Sequence, residues 1–88
     1  MSTGQDDGAA PHAPALVVDA RGLSCPMPII ALARASIGLP PGTLVAVRWT
    51  DPAARYDVPA WARMRGHEVV TVDGDPEGAA WVTTVRLG

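Results

Sequence analysis

An α/β two-layer sandwich of order βαβαββ, with a four-stranded mixed sheet and two helices on one face, is the fold this sequence predicts. Three observations carry the prediction. Four short segments are rich in β-branched residues, near residues 16–19, 43–50, 67–72 and 80–87. Between them lie two stretches with apolar residues at helical spacing, near residues 26–37 and 57–65. At 88 residues the chain has material for one core, and a domain of that size buries only about 60% of the surface its unfolded chain exposes. Chemistry at the surface, or shared with a partner, is therefore favoured over a deep pocket.

The elements follow in order. Leu16-Val17-Val18-Asp19 is a β-branched run that gives way to Ala20-Arg21-Gly22, so the first strand ends in a loop leading to Cys25. Residues 26–37 then read as a helix, with Ile30, Ala33 and Ile37 on its core face and Arg34 turned away; Gly38 and Pro40-Pro41 stop it. In residues 43–50, Val45, Val47 and Trp49 share one face of a second strand. Strand, helix and strand within so short a span make a βαβ unit with parallel strands and a right-handed crossover. Asp57 is expected to cap a second helix, with Pro59 in its first turn, that runs to Arg65 before Gly66. Ala60, Trp61 and Met64 would form its apolar side. Residues 67–72 and 80–87 flank the turn Asp73-Gly74-Asp75-Pro76-Glu77-Gly78 and read as a hairpin. Two helices and four strands bury their apolar surfaces most simply with both helices on one face of the sheet.

Composition excludes several classes of function. The balance of seven arginines, no lysine and nine acids gives a net charge of -2, which argues against direct binding to the nucleic-acid backbone. Without lysine, Schiff-base chemistry and phosphate-loop lysines are also excluded. Residues 1–15 hold Asp6 and Asp7 among Gly, Ala and Pro, with neither a basic nor an apolar leader segment, and read as a disordered tail ahead of a domain over residues 16–88. No apolar run is long enough to span a bilayer, so no membrane partner is expected. One cysteine allows no intramolecular disulfide and points to a reducing, cytoplasmic setting. His12, His67 and Cys25 are too few for a metal site. Trp49, Trp61 and Trp81 read as packing residues and not as a stacking platform.

The candidate for chemistry is Cys25, at the junction of loop and helix in Gly22-Leu23-Ser24-Cys25-Pro26-Met27-Pro28. A helix start favours an anion, and thiolates there often have depressed pKa values. Pro26 and Pro28 stiffen the turn and donate no amide hydrogen, so the N–H groups of Met27 and Ile29 are the candidates to point at the sulfur or at a substrate anion. The competing reading is a small buried hydrophobe, as free cysteines often are. Position between Gly22 and two prolines favours a presented, reactive thiol.

The string Leu-Val-Val-Asp-Ala-Arg-Gly-Leu-Ser-Cys-Pro-Met-Pro-Ile resembles the N-terminal signature of the TusA-like (SirA/YedF-type) sulfur carrier proteins, with its Cys-Pro-x-Pro hallmark. The likeness continues through Pro41-Gly42, Thr50-Asp51-Pro52, Asp57-Val58-Pro59-Ala60-Trp61 and Gly66-His67-Glu68-Val69, and so covers the chain from Leu16 to Leu87. The resemblance implies the same βαβαββ sandwich. It also implies that Cys25 accepts sulfane sulfur as a persulfide from a donor such as a cysteine desulfurase or a rhodanese. An acceptor protein in tRNA thiolation, molybdenum cofactor assembly or sulfur oxidation would then receive it. No cofactor is implied beyond that covalent sulfur, and the carrier is expected to be a monomer making transient complexes. Met27 replaces the Glu that some members carry between the prolines.

Three flanking residues are weighed with it. Arg21 and Arg55 are candidates to support an anionic sulfur or to dock partners, against the alternative of solvated surface arginines. Asp51 is a candidate to orient Arg55 or cap nearby amides, against plain turn chemistry. Two other functions compete: a regulatory interaction module that uses the same surface, and a thiol-disulfide oxidoreductase. The latter is disfavoured because Cys-Pro-Met-Pro lacks the second thiol of Cys-x-x-Cys.

Overall fold

The computed structural model describes residues 13–88. Its elements are β1 (Leu16–Ala20), α1 (Met27–Ser36), β2 (Leu44–Trp49), α2 (Ala54–Arg65), β3 (Glu68–Gly74) and β4 (Trp81–Arg86). The strands lie in the order β1-β2-β4-β3; β1 runs parallel to β2 and the other pairs are antiparallel. This is the expected mixed four-stranded sheet with a βαβ unit followed by a hairpin. The tail expected over residues 1–15 lies outside the described residues up to residue 12. At its far end, the Ala15 N–H already donates to Leu44 O at 2.8 Å, so strand pairing starts one residue before β1.

Register places the core. Val18 and Ala20 of β1 align with Val47 and Trp49 of β2, and these align in turn with Thr83 and Trp81 of β4. Side chains that alternate along paired strands in register share one face. On this face Val45, Val47, Trp49 and Val85 are buried, and Val58, Trp61 and Leu32 from the two helices close over them. The Trp49 indole N–H donates to the Thr83 hydroxyl at 2.8 Å, which satisfies two polar groups inside the core. On the opposite face Arg48 pairs with the buried Asp75 at 2.6 Å and with Glu77 at 2.9 Å, tying the β3–β4 turn to β2. That guanidinium, with the Glu77 amide, holds the Asp75 carboxyl below its usual range.

Both helices differ from expectation in phase. α1 buries Pro28 and Leu32, with Ile29 and Ala33 partly buried against the core, while Ile37 is 77% exposed. The helix ends at Ser36, and Ile37 has left helical geometry with ψ 129°, so of the stripe Ile30, Ala33 and Ile37 only Ala33 packs against the core. α2 begins three residues before Asp57, leaving Asp57 in its first turn and Pro59 inside the helix. The turn at Pro52 starts it: Ala54 N–H donates to Asp51 O and Arg55 N–H to Pro52 O. Its core stripe is Ala54, Val58, Trp61 and Ala62, the spacing of one helical face. Of the expected Ala60, Trp61 and Met64, only Trp61 is buried, and Met64 is 79% exposed. Gly66 ends the helix at φ 77°, a left-handed cap that suits glycine. Among the described residues no helix is long and apolar enough to cross a membrane.

Candidate functional site

The loop after β1 carries Cys25 and is held from three directions. Gly22 turns the chain at φ 79°, and its N–H donates to Thr50 Oγ1 at 2.9 Å. Leu23 N–H returns to Ala20 O at 3.2 Å. Cys25 N–H donates to Asp51 Oδ2 at 2.9 Å, while Asp51 Oδ1 accepts the Ala53 N–H at 3.0 Å. One carboxylate thereby joins the cysteine loop to the start of α2. Those two amide bonds hold the Asp51 carboxyl below its usual range. Asp51 thus caps local amides, and its contact reaches the site residue itself.

Pro26 is the residue before α1, not its first residue, and the peptide bond joining it to Cys25 is cis. Pro28 is buried under the helix start. The Met27 N–H does not face the sulfur; it closes a turn by donating to Ser24 O at 2.8 Å. Met27 and Leu23 leave apolar surface on either side of Cys25, 45% and 38% exposed.

The free thiol behaves opposite to the expectation drawn from its helix position. Burial, and then the neighbouring Asp57 and Asp51 carboxylates, push Cys25 up to about 11. A helix start stabilises an anion through free amides, but here prolines replace two donors and Met27 is already bonded. Burial of the thiol, the largest cause, and negative charge from another element then outweigh what remains of that effect. Asp57 is therefore the site residue that the sequence analysis read only as a helix cap. Its signal was topological: parallel β1 and β2 bring the loops after both strands to the same edge of the sheet, so the start of α2 meets the loop after β1.

The two arginines singled out from sequence are committed elsewhere. Arg21 forms a two-pronged pair with Asp19 at 2.8 and 2.7 Å and reaches Glu77 at 3.6 Å. Arg55 is stacked over Trp81, 4.7 Å from the ring centre, and lies 5.6 Å from that of Trp49. The two indoles are themselves stacked at 6.2 Å. Asp51 does not orient Arg55.

A first prediction follows from the acidic surroundings of the thiol. Asp57→Asn removes a charge that disfavours the thiolate, so the midpoint of Cys25 alkylation by iodoacetamide against pH moves down from about 11 toward the ordinary thiol range of about 8.5. Burial remains, so the midpoint stops short of that range. Each unit of decrease raises the thiolate fraction at neutral pH about tenfold. An unmoved or higher midpoint would contradict the assignment of Asp57.

Comparison with known proteins supplies the context for this loop. A family model described as Sulfurtransferase TusA matches residues 16–86. The sulfur carrier protein TusA of Pseudomonas aeruginosa is 41% identical over 59 residues, covering 67% of this chain and 75% of that one. Its counterpart of the same name in Pseudomonas putida is 39% identical over 62 residues, covering 70% and 78%. A SirA-like protein of Desulfitobacterium hafniense, known from a crystal structure, shares the fold with a TM-score of 0.64 and 25% identity over 83% of this chain and 99% of that one.

Proposed function

This chain belongs to the TusA sulfurtransferase family, and from that membership we propose that it is a sulfur carrier whose Cys25 holds sulfane sulfur as a persulfide. One observation carries the assignment to that residue. A carrier of sulfane sulfur needs a thiol to form the S–S bond, and Cys25 is the only cysteine in the chain. The methionine thioethers cannot serve.

Loading is a transfer without net oxidation. The Cys25 sulfur attacks the outer sulfur of a donor persulfide, a new S–S bond forms, the donor's S–S bond breaks, and the donor leaves as a thiolate that takes up a proton. In this account the neighbouring Asp57 takes the Cys25 proton as its sulfur becomes the nucleophile, and Asp51 acts as a positioning residue through its bond to the Cys25 amide. In the unloaded chain the same carboxylates keep the thiol protonated and slow to react with adventitious oxidants. Delivery reverses the pattern: an acceptor thiolate attacks the outer sulfur and Cys25 departs as the leaving group. With no second cysteine, only another molecule's nucleophile can discharge the persulfide.

A cysteine desulfurase or rhodanese supplies sulfur in this account, and the acceptor serves tRNA thiolation, molybdenum cofactor assembly or sulfur oxidation. Leu23 and Met27 offer partners an apolar rim around the sulfur, and Met27 makes that contact without a charge. The carrier works as a monomer in transient complexes.

Delivery is tested with cyanide as a small acceptor. Chain loaded by thiosulfate and a rhodanese, then separated from both, should yield one thiocyanate per chain on cyanide treatment as the S–S bond breaks and Cys25 returns to a thiol. Thiocyanate no higher than in protein never exposed to the donor would exclude the carrier role and leave the interaction-module reading.

A further inference from the structure

The apolar stripe Ile30, Ala33 and Ile37 has the spacing of a core face, yet only Ala33 of the three packs against the core. Instead these residues form one wall of an open groove of about 450 Å³ between α1 and the C-terminal part of α2, with Trp61 opposite. None of the lining residues belongs to the Cys25 loop, and the groove lies toward the opposite ends of the helices. Arg34 and Arg65 stand on it from the last turns of α1 and α2. Among the described residues, neither is in an ion pair, whereas Arg21, Arg48 and Arg86 each are. His67 completes the wall. Its ring packs on Trp61 at 4.9 Å, and its Nδ1 accepts the Gly88 N–H at 2.9 Å, so the neutral ring carries its proton on Nε2 as a donor.

Basic residues near helix C-termini complement the helix dipole, and that accounts for Arg34 and Arg65 singly. It does not account for both of them lining one apolar groove. No acid occurs within α1, and Glu68, which follows His67, is taken by Arg86 at 2.8 Å. The groove therefore combines apolar area, two guanidinium groups without an ion-pair partner among the described residues, and a volume within the usual range for small-ligand sites, about 300–1,000 Å³.

We propose that this groove binds a small amphiphilic anion, an aliphatic carboxylate whose chain lies on Ile30, Ala33, Ile37 and Trp61 and whose head group is held by Arg34 and Arg65. Charge complementarity selects the head group, since guanidinium forks match carboxylates and a neutral polar head would leave both arginines unanswered. The site is independent of sulfur chemistry, so its test stands whether or not Cys25 carries sulfur.

The probe is octanoate, titrated into the full-length isotope-labelled chain and followed by NMR. Saturable shifts are expected at the Trp61 indole N–H and the methyl groups of Ile30, Ala33 and Ile37, with the Cys25 loop unmoved. Octan-1-ol, which has a comparable apolar chain and no charge, should bind at least about tenfold more weakly, as should octanoate to the double variant Arg34→Gln, Arg65→Gln. Both substitutions are on the surface, and the amide spectrum of the variant reports whether the fold is kept. Shifts that rise linearly without saturating, equal binding of the alcohol, or unchanged octanoate affinity in a folded double variant would overturn the proposal.

Discussion

Cys25→Ser takes up no sulfur from any donor and keeps its fold. A serine hydroxyl cannot form the S–S bond that stores sulfane sulfur, so loading falls to the protein-free background and not merely to a lower rate. The fold survives because Cys25 is only half-buried, and the loop around it is fixed by backbone groups. Its own N–H on Asp51, the Gly22 N–H on Thr50 and the Leu23 N–H on Ala20 are all retained by serine. Surface or half-buried changes of this kind shift stability by less than about 1 kcal/mol. Unfolding in urea with both chains side by side, together with sulfur uptake, separates the two effects. Sulfur uptake by the serine variant equal to wild type would remove Cys25 from the account.

Trp49→Ala has the largest effect on stability. Trp49 is 1% exposed, stacks on Trp81 and donates its indole N–H to Thr83, itself 1% exposed. Truncating a buried aromatic residue costs about 3–5 kcal/mol, and a buried hydroxyl left without its partner adds about 1–3 kcal/mol. Domains of this kind have about 5–15 kcal/mol in all, so most of the stability is lost. Trp49 is also the β2 partner of Ala20, the last residue of β1, so its loss loosens the edge from which the Cys25 loop departs. Thr83→Val, which keeps the indole and removes the hydroxyl, should cost less than Trp49→Ala. A loss below about 1 kcal/mol for Trp49→Ala by urea unfolding would contradict this view of the core.

What the sequence made legible was set by local pattern. β-branched runs located four strands to within two residues, and the spacing of Gly66 after Arg65 marked the end of α2 correctly. Strand register needed no more than alternation: Val45, Val47 and Trp49 do share the core face. The helices were harder because phase depends on where each begins. The cap expected at Asp57 lies four residues earlier, at Ala53 after the turn at Pro52, so Ala54 and Val58 lead the core stripe and Met64 faces solvent. In α1 the clearest apolar stripe proved to be the wall of a groove, since Pro28 and Leu32, one helical turn apart, face the sheet instead.

The site divides in the same way. Cys25 and Gly22 were visible because their roles are local: a single thiol, and a turn that needs positive φ. The electrostatics of the thiol were not, because Asp57 is 32 positions away in sequence and acts from a different helix. Helix-start reasoning considers the amides of one element. Here burial of the thiol comes first, charges from the next element add to it, and together they reverse the sign. Arg21 and Arg55 illustrate the converse: nearness to Cys25 in sequence suggested anion support for Arg21 and a place in the loop before the second helix suggested it for Arg55, while Asp19 in one case and the two indoles in the other engage them. The three neighbours Arg55, Trp49 and Trp81 come together only through the β2–β4 register.

The intact mass of the chain after incubation with a cysteine desulfurase and cysteine tests the central claim most directly. The account predicts a product heavier by one sulfur atom, with fragmentation placing that sulfur on Cys25 and dithiothreitol restoring the original mass. A chain whose mass stays unchanged beside an active donor, or a sulfur adduct that fragmentation places on any other residue, would contradict it.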